Sequence, residues 1–171
     1  KLFIRIRPVN QNAVFDKIKS ANISFEKIND DCLSFANNER FTDILNLYKE
    51  AVIQDYNSQQ TWSQLASRIR PSASGISVWD CCAASGGKSI LAFDLLKNIE
   101  LTVTDTRKNI LKNLEDRFDK AGIKNYHSFP ADLSVLSRLE GVRERPSFDL
   151  IIADVPCSGS GTWSRTPEQL H

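Results

Sequence analysis

A rhythm that begins near residue 76 narrows the fold more than any other feature of this sequence. Four short apolar runs, Ile76–Asp80, Leu101–Asp105, Tyr126–Asp132 and Phe148–Asp154, each finish on an aspartate. Segments of helical period separate them, at about 88–98 and 107–121 and in a short piece after Asp132, and Gly122 is a fitting terminator for the second. Strands that alternate with helices close as right-handed crossovers feeding one parallel sheet. The expected class is therefore α/β, with a Rossmann-like parallel core that is partial at this length. Ligands of such sheets sit outside the carboxyl ends of the strands. One aspartate there is commonplace, whereas four in succession predict a rim of carboxylates along the binding edge.

The chain upstream has a different character. Residues 2–6 read as a strand ended by Pro8, and 10–21 as an amphipathic helix with Val14, Phe15 and Ile18 inward. Two further strands are expected at 23–28 and 32–36, on either side of the turn-prone Asn29-Asp30-Asp31. Ser58 is a candidate cap for a helix carrying Trp62, Leu65, Ala66 and Ile69, and Pro71–Gly75 breaks the chain. The expected organisation is a small α+β unit over residues 1–50 and a second domain over 51–171.

Bulk charge supplies no argument for a polyanionic partner. The net charge is +1; residues 1–70 hold ten Lys/Arg against eight Asp/Glu, and residues 71–171 hold twelve against thirteen. The four cysteines, Cys32, Cys81, Cys82 and Cys157, lack paired zinc spacing, so no metal site is expected. No apolar run approaches the ~18 residues of a membrane span, and no secretory signal is visible, which leaves a reduced cytoplasmic setting as the expectation.

Two loops concentrate the chemistry. The first, Asp80-Cys-Cys-Ala-Ala-Ser-Gly-Gly-Lys88, joins the first strand of the rhythm to its helix, and every side chain from 81 to 87 is small. Small residues let a ligand lie against the backbone, Gly86 and Gly87 permit left-handed dihedrals, and the helix start offers free N–H groups. A P-loop would need glycine at position 82, where Cys82 stands, and the dinucleotide pattern G-x-G-x-x-G is absent. S-adenosylmethionine fits better. Asp105 follows Gly86 by 19 residues, near the offset at which a carboxylate accepts ribose hydroxyls, and Asp132 is placed to accept from the adenine amino group. Either aspartate alone could equally cap a helix; their co-occurrence favours the cofactor.

The second loop, Asp154-Val-Pro-Cys-Ser-Gly-Ser-Gly161, places Cys157 where substrate would meet cofactor. A lone cysteine is ordinarily a small buried hydrophobe. A thiolate at a strand-end loop has a use, however. Carbon 5 of cytosine is a poor nucleophile, and thiol addition at carbon 6 turns the ring into an enamine-like species able to attack a methyl sulfonium. Asp154 could hold the exocyclic amino group while charge develops.

With these loops in view, the chain resembles the Sun/Fmu-type (RsmB-like, NOL/NOP/Sun) RNA cytosine-5 methyltransferases. The family's cofactor loop reads D-x-C-A-A-P-G-G-K-T against DCCAASGGKS here, its second loop D-x-P-C-S-G-x-G against DVPCSGSG, and its upstream Q-D-x-x-S-Q matches Gln54-Asp55-Tyr56-Asn57-Ser58-Gln59. The resemblance covers roughly residues 50–167. It implies a Rossmann-like S-adenosylmethionine-dependent methyltransferase core behind a small N-terminal α+β unit. It also implies cofactor binding by Cys82, Ala83, Ala84, Ser85, Gly86, Gly87, Lys88, Asp105, Asp132 and Asp154, and catalysis by Asp154 and Cys157. The family places its nucleophile on the next strand's loop, so the resemblance makes Cys157 the second catalytic cysteine, which assists breakdown of the covalent adduct. The implied substrate is RNA, ribosomal ahead of transfer, with no membrane and no obligate protein partner.

Two departures stand out: Ser85 replaces the family proline, and Ile110 stands where members often have arginine, removing a local ion pair. The chain begins at Lys1, contains no methionine and stops at His171. A trimmed chain, with the principal nucleophile beyond His171, is the expectation. A non-catalytic homologue that binds cofactor or RNA is the competing reading.

Overall fold

The computed structural model describes residues 1–37, 39–66, 68–69, 75–136 and 147–155. Two four-stranded sheets organise them. The first contains β1 (Leu2–Ile6), β2 (Glu26–Lys27), β3 (Cys32–Phe35) and β4 (Ala51–Ile53), antiparallel in the order β2-β3-β1-β4. Helix α1 (Gln11–Ser20) packs on it through Val14 and Ile18, and the shared core holds Ile4, Ile6, Leu33, Phe35 and Phe41.

The second sheet contains β5 (Ile76–Asp80), β6 (Ile99–Asp105), β7 (Tyr126–Pro130) and β8 (Leu150–Ile152). All its pairings are parallel and its order is β7-β6-β5-β8. Helices α3 (Gly87–Leu96) and α4 (Lys108–Ala121) make the crossovers, and α5 (Leu133–Leu136) follows β7. α2 (Tyr56–Ala66) precedes β5 and buries Trp62 in the larger core, while Leu65 is exposed. β6 and β8 flank β5 on opposite sides, so the strand order reverses at β5, and a crevice opens there at the carboxyl ends.

Local chemistry explains the main boundaries. α4 buries Leu111, Leu114, Phe118 and Ala121 on one stripe. It ends as expected at Gly122, whose φ of 75° is left-handed; the Gly122 N–H donates to Asp119 O and the Ile123 N–H to Phe118 O, the bond pair of a Schellman ending.

Several expected boundaries move. The strand expected over 23–28 contracts to Glu26–Lys27. A further strand, β4, falls at 51–53, so the small sheet closes three residues past position 50; Ala51 faces the smaller core and Val52 the larger. β7 ends at Pro130 and β8 at Ile152, which leaves Asp132 and Asp154 two residues beyond their strands instead of at their tips. Asp132 has left the ladder to accept hydrogen bonds from the N–H and hydroxyl of Ser134 at the start of α5.

The two units meet on a buried ionic seam. Asp94 of α3, 3% exposed in its side chain, accepts from Arg5 Nη1 at 2.6 Å and from Arg7 Nη2 at 2.7 Å, both on β1 or just after it. Gln54 Oε1 accepts from Arg5 Nε, Gln59 donates to the Gln54 carbonyl, and Arg7 Nη1 donates to the carbonyls of Tyr48 and Ala121. The Q-D-x-x-S-Q segment is thereby tied into the seam.

Candidate functional site

The loop after β5 is held in shape by the strand beside it. The Cys81 N–H donates to Ile152 O of β8 and the Ala83 N–H to Thr104 O of β6, while the Thr104 hydroxyl donates to Cys81 O. Arg117 of α4 donates to the Ser85 carbonyl. These bonds pull the loop across the crevice mouth. Ala84 (φ 45°) and Gly86 (φ 82°) take the left-handed positions, whereas Gly87 opens α3. Any larger residue at Gly86 would force its neighbours to shift: an added Cβ would stand 2.8 Å from Phe118 Cε1 and 3.0 Å from Leu114 Cγ. At Gly87 a Cβ would meet nothing within 4 Å, so the first turn of α3 presents its backbone to open space.

Around the switch point lies a cleft of about 570 Å³, lined by Cys81, Cys82, Ala84, Asp105, Thr106, Arg107, Ala131, Asp132, Leu133, Asp154 and Val155. That volume is ordinary for a small-molecule site. Of the residues expected to bind a ligand, the fold brings Cys82, Ala84, Asp105, Asp132 and Asp154 to this one space. Ala83, Ser85, Gly86, Gly87 and Lys88 shape it without lining it: Ala83 is buried, Gly86 packs on α4, and Lys88 reaches over to pair with Asp154 Oδ2. Cys157 lies outside the described residues. Cys81, Thr106, Arg107, Ala131, Leu133 and Val155 lie outside the expected set; each is within two residues of a strand-end aspartate, which is the signal that could have found them.

The four carboxylates sit in different environments. Asp80 is buried, and burial pushes its pKa up to about 6 despite the hydrogen bond donated by Ser89 at 2.6 Å. Asp105 is held below the usual carboxylate range, chiefly by the Arg107 side chain, which donates through Nε at 3.0 Å and Nη2 at 3.2 Å. Arg107 thus makes an ion pair of the kind Ile110 cannot. The backbone N–H groups of Ala84 and Arg107 also donate to Asp105, each at 3.0 Å. Asp132 is likewise lowered, by Ser134. Burial raises the Cys81 thiol to about 11, so this cysteine is a packed hydrophobe and not a nucleophile. Among the described residues no cluster of His, Cys, Asp and Glu could hold a metal, and no helix is long and apolar enough to cross a membrane.

The sequence pattern of the family described as 16S rRNA methyltransferase RsmB/F matches residues 68–170. The chain belongs to this family. A probable ribosomal RNA small subunit methyltransferase B from Bacillus subtilis is 35% identical over 124 residues, covering 71% of this chain and 26% of that protein. A human 28S rRNA (cytosine(4447)-C(5))-methyltransferase is 30% identical over 95 residues, covering 53% of this chain and 11% of that protein. The chain spans about a quarter of the length of the bacterial RsmB-type relative. In structure it is similar to a methyltransferase homolog protein from Pyrococcus horikoshii, with a TM-score of 0.74 at 21% identity, covering 98% of this chain and 54% of that one. That likeness establishes the Rossmann-like methyltransferase fold for this member of the RsmB/F family.

Proposed function

We propose that this RsmB/F-family chain forms the cofactor-binding part of an S-adenosylmethionine-dependent RNA (cytosine-5) methyltransferase that acts on ribosomal RNA. The observation that carries the reading is that one cleft, at the β5 switch point, gathers the small-residue loop and the carboxylates of Asp105, Asp132 and Asp154. Its donor set suits an adenosyl ligand. Two small side chains, Cys82 and Ala84, leave room against the backbone, and three carboxylates supply acceptors for hydroxyl and amino groups.

In this reading Asp105 takes the ribose hydroxyls, Asp132 lies by the adenine, and the start of α3 faces the methionine end. When bound, S-adenosylmethionine supplies an electrophilic methyl group. Lys88 orients Asp154 by their ion pair, and Asp154 receives the exocyclic amino group of a cytosine exposed from its stack. Cys157, three residues further on, supplies a thiol for the covalent cytosine chemistry, as the step that releases the adduct. The N-terminal unit, closed by β4, acts as an auxiliary module, and the protein works in the cytoplasm.

Titration calorimetry with S-adenosylhomocysteine, ATP plus Mg²⁺, and NAD tests the assignment. Only S-adenosylhomocysteine is expected to bind. ATP binding without a response to S-adenosylhomocysteine would overturn it.

A further inference from the structure

Asp105 is the residue on which the cofactor reading leans most, and its acceptor capacity is already filled. A carboxylate offers about four lone-pair sites. Oδ1 accepts from the Arg107 backbone N–H and Nε, and Oδ2 accepts from the Ala84 N–H and Arg107 Nη2. The two backbone donors are fixed by the loop and by the start of α4. The two guanidinium donors are not. Their side chain is 58% exposed, lines the cleft, and sits on a carboxylate that is itself only 6% exposed. Two parallel N–H groups aimed at two oxygens of one carboxylate present the donor pattern of a vicinal diol.

We propose that Arg107 is a resident mimic of the ribose diol: it occupies the ribose acceptors of Asp105 in the free protein and must swing out for the adenosyl ligand to enter. This rests on the assignment of Asp105 to the ribose. The exchange conserves hydrogen bonds, two N–H donors leaving as two O–H donors arrive. Its cost is the lost ion pair alone, so Arg107 sets affinity without touching the methyl group. Once out, the guanidinium remains beside the cleft, within reach of solvent.

Calorimetry on the full-length protein and its Arg107→Ala, Arg107→Lys and Asp105→Ala variants tests this. Arg107→Ala is expected to bind S-adenosylhomocysteine about fivefold more tightly than the parent, the factor that an exposed bidentate pair is worth. Arg107→Lys, which cannot present the paired donors, should fall between. The affinity of the parent should rise with added salt, and that of Arg107→Ala should not. Weaker binding by Arg107→Ala would make the arginine a ligand contact and overturn the proposal, as would unchanged binding. Asp105→Ala separates the two layers: loss of binding upholds the ribose assignment whatever Arg107 does, and retained binding removes that assignment itself. Thermal melts of each variant, with and without ligand, distinguish an altered site from an altered fold.

Discussion

Replacing Gly86 by alanine should cripple the protein, and the same change at Gly87, the adjacent residue, should not. At Gly86 two costs combine. Its φ of 82° is left-handed, which a non-glycine residue adopts at about 1–2 kcal/mol. The added Cβ would also press on Phe118 and Leu114 at 2.8 and 3.0 Å, and both of those residues are fully buried in α4. Overpacking of that kind costs about 1–3 kcal/mol. Together the expected loss is about 2–5 kcal/mol, a large part of a domain's ~5–15 kcal/mol stability. The melting temperature should fall by roughly 4–20 °C. At Gly87 the φ is not left-handed and nothing lies within 4 Å, so alanine at the start of α3 should be neutral or stabilise by about 0.5–1 kcal/mol. Urea unfolding of both variants checks this. Equal losses at the two positions, or a Gly86→Ala variant as stable as the parent, would show that the loop does not pack on α4 as described.

Other perturbations have equally defined outcomes. Asp94→Ala leaves the Arg5 and Arg7 guanidinium groups buried without their partner, and urea unfolding should register a loss of about 3–5 kcal/mol. Asp80 has a folded pKa of about 6, raised from 3.8, so the folded state holds its proton more tightly than the unfolded one. Stability should therefore decline as pH rises from about 4 to about 6, by up to roughly 3 kcal/mol, and Asp80→Asn should flatten that slope; an unchanged slope would refute the assignment. Asp105 and Asp132, whose pKa values are lowered, act in a separate window: their stabilisation is present above the unfolded value and is lost at more acidic pH. In the native protein at neutral pH, mass-spectrometric mapping of iodoacetamide labelling should find Cys81 protected, and denaturation should expose it.

The parallel sheet was legible because its signals are local. An apolar run ending at Asp80 or Asp105 is visible in five to seven residues, and Gly122 marks the end of α4 by chemistry carried in its own backbone. β4 escaped notice because three residues, Ala51–Ile53, form a strand only by pairing with β1 some 45 positions earlier. In sequence the doublet Gly86-Gly87 reads as one feature, a pair of residues that both permit left-handed dihedrals. Its division into a packing glycine and an open one depends on where α4 lies, and nothing in the loop records that. The same holds for Arg107: its type and position were readable, but its grip on Asp105 depends on the turn into α4. Asp132 and Asp154 line the cleft yet stand beyond their strands, because an aspartate that caps or pairs beyond a strand looks, in sequence, like one that ends it.

Arg5 of β1, Arg7 just beyond it and Asp94 of α3 give the N-terminal unit an unusual status for so small an appendage. A module joined through exposed polar surface can be grafted onto a new partner or discarded with little penalty. This one cannot travel. Its removal would strand an acidic group inside α3, the helix whose first turn faces the cleft, and any parallel-sheet domain that received it would need a matching acid at the same register. Shuffling of the two halves should therefore require paired substitutions on both sides of the join, and chimaeras that cross it without them should fail at folding before they fail at chemistry.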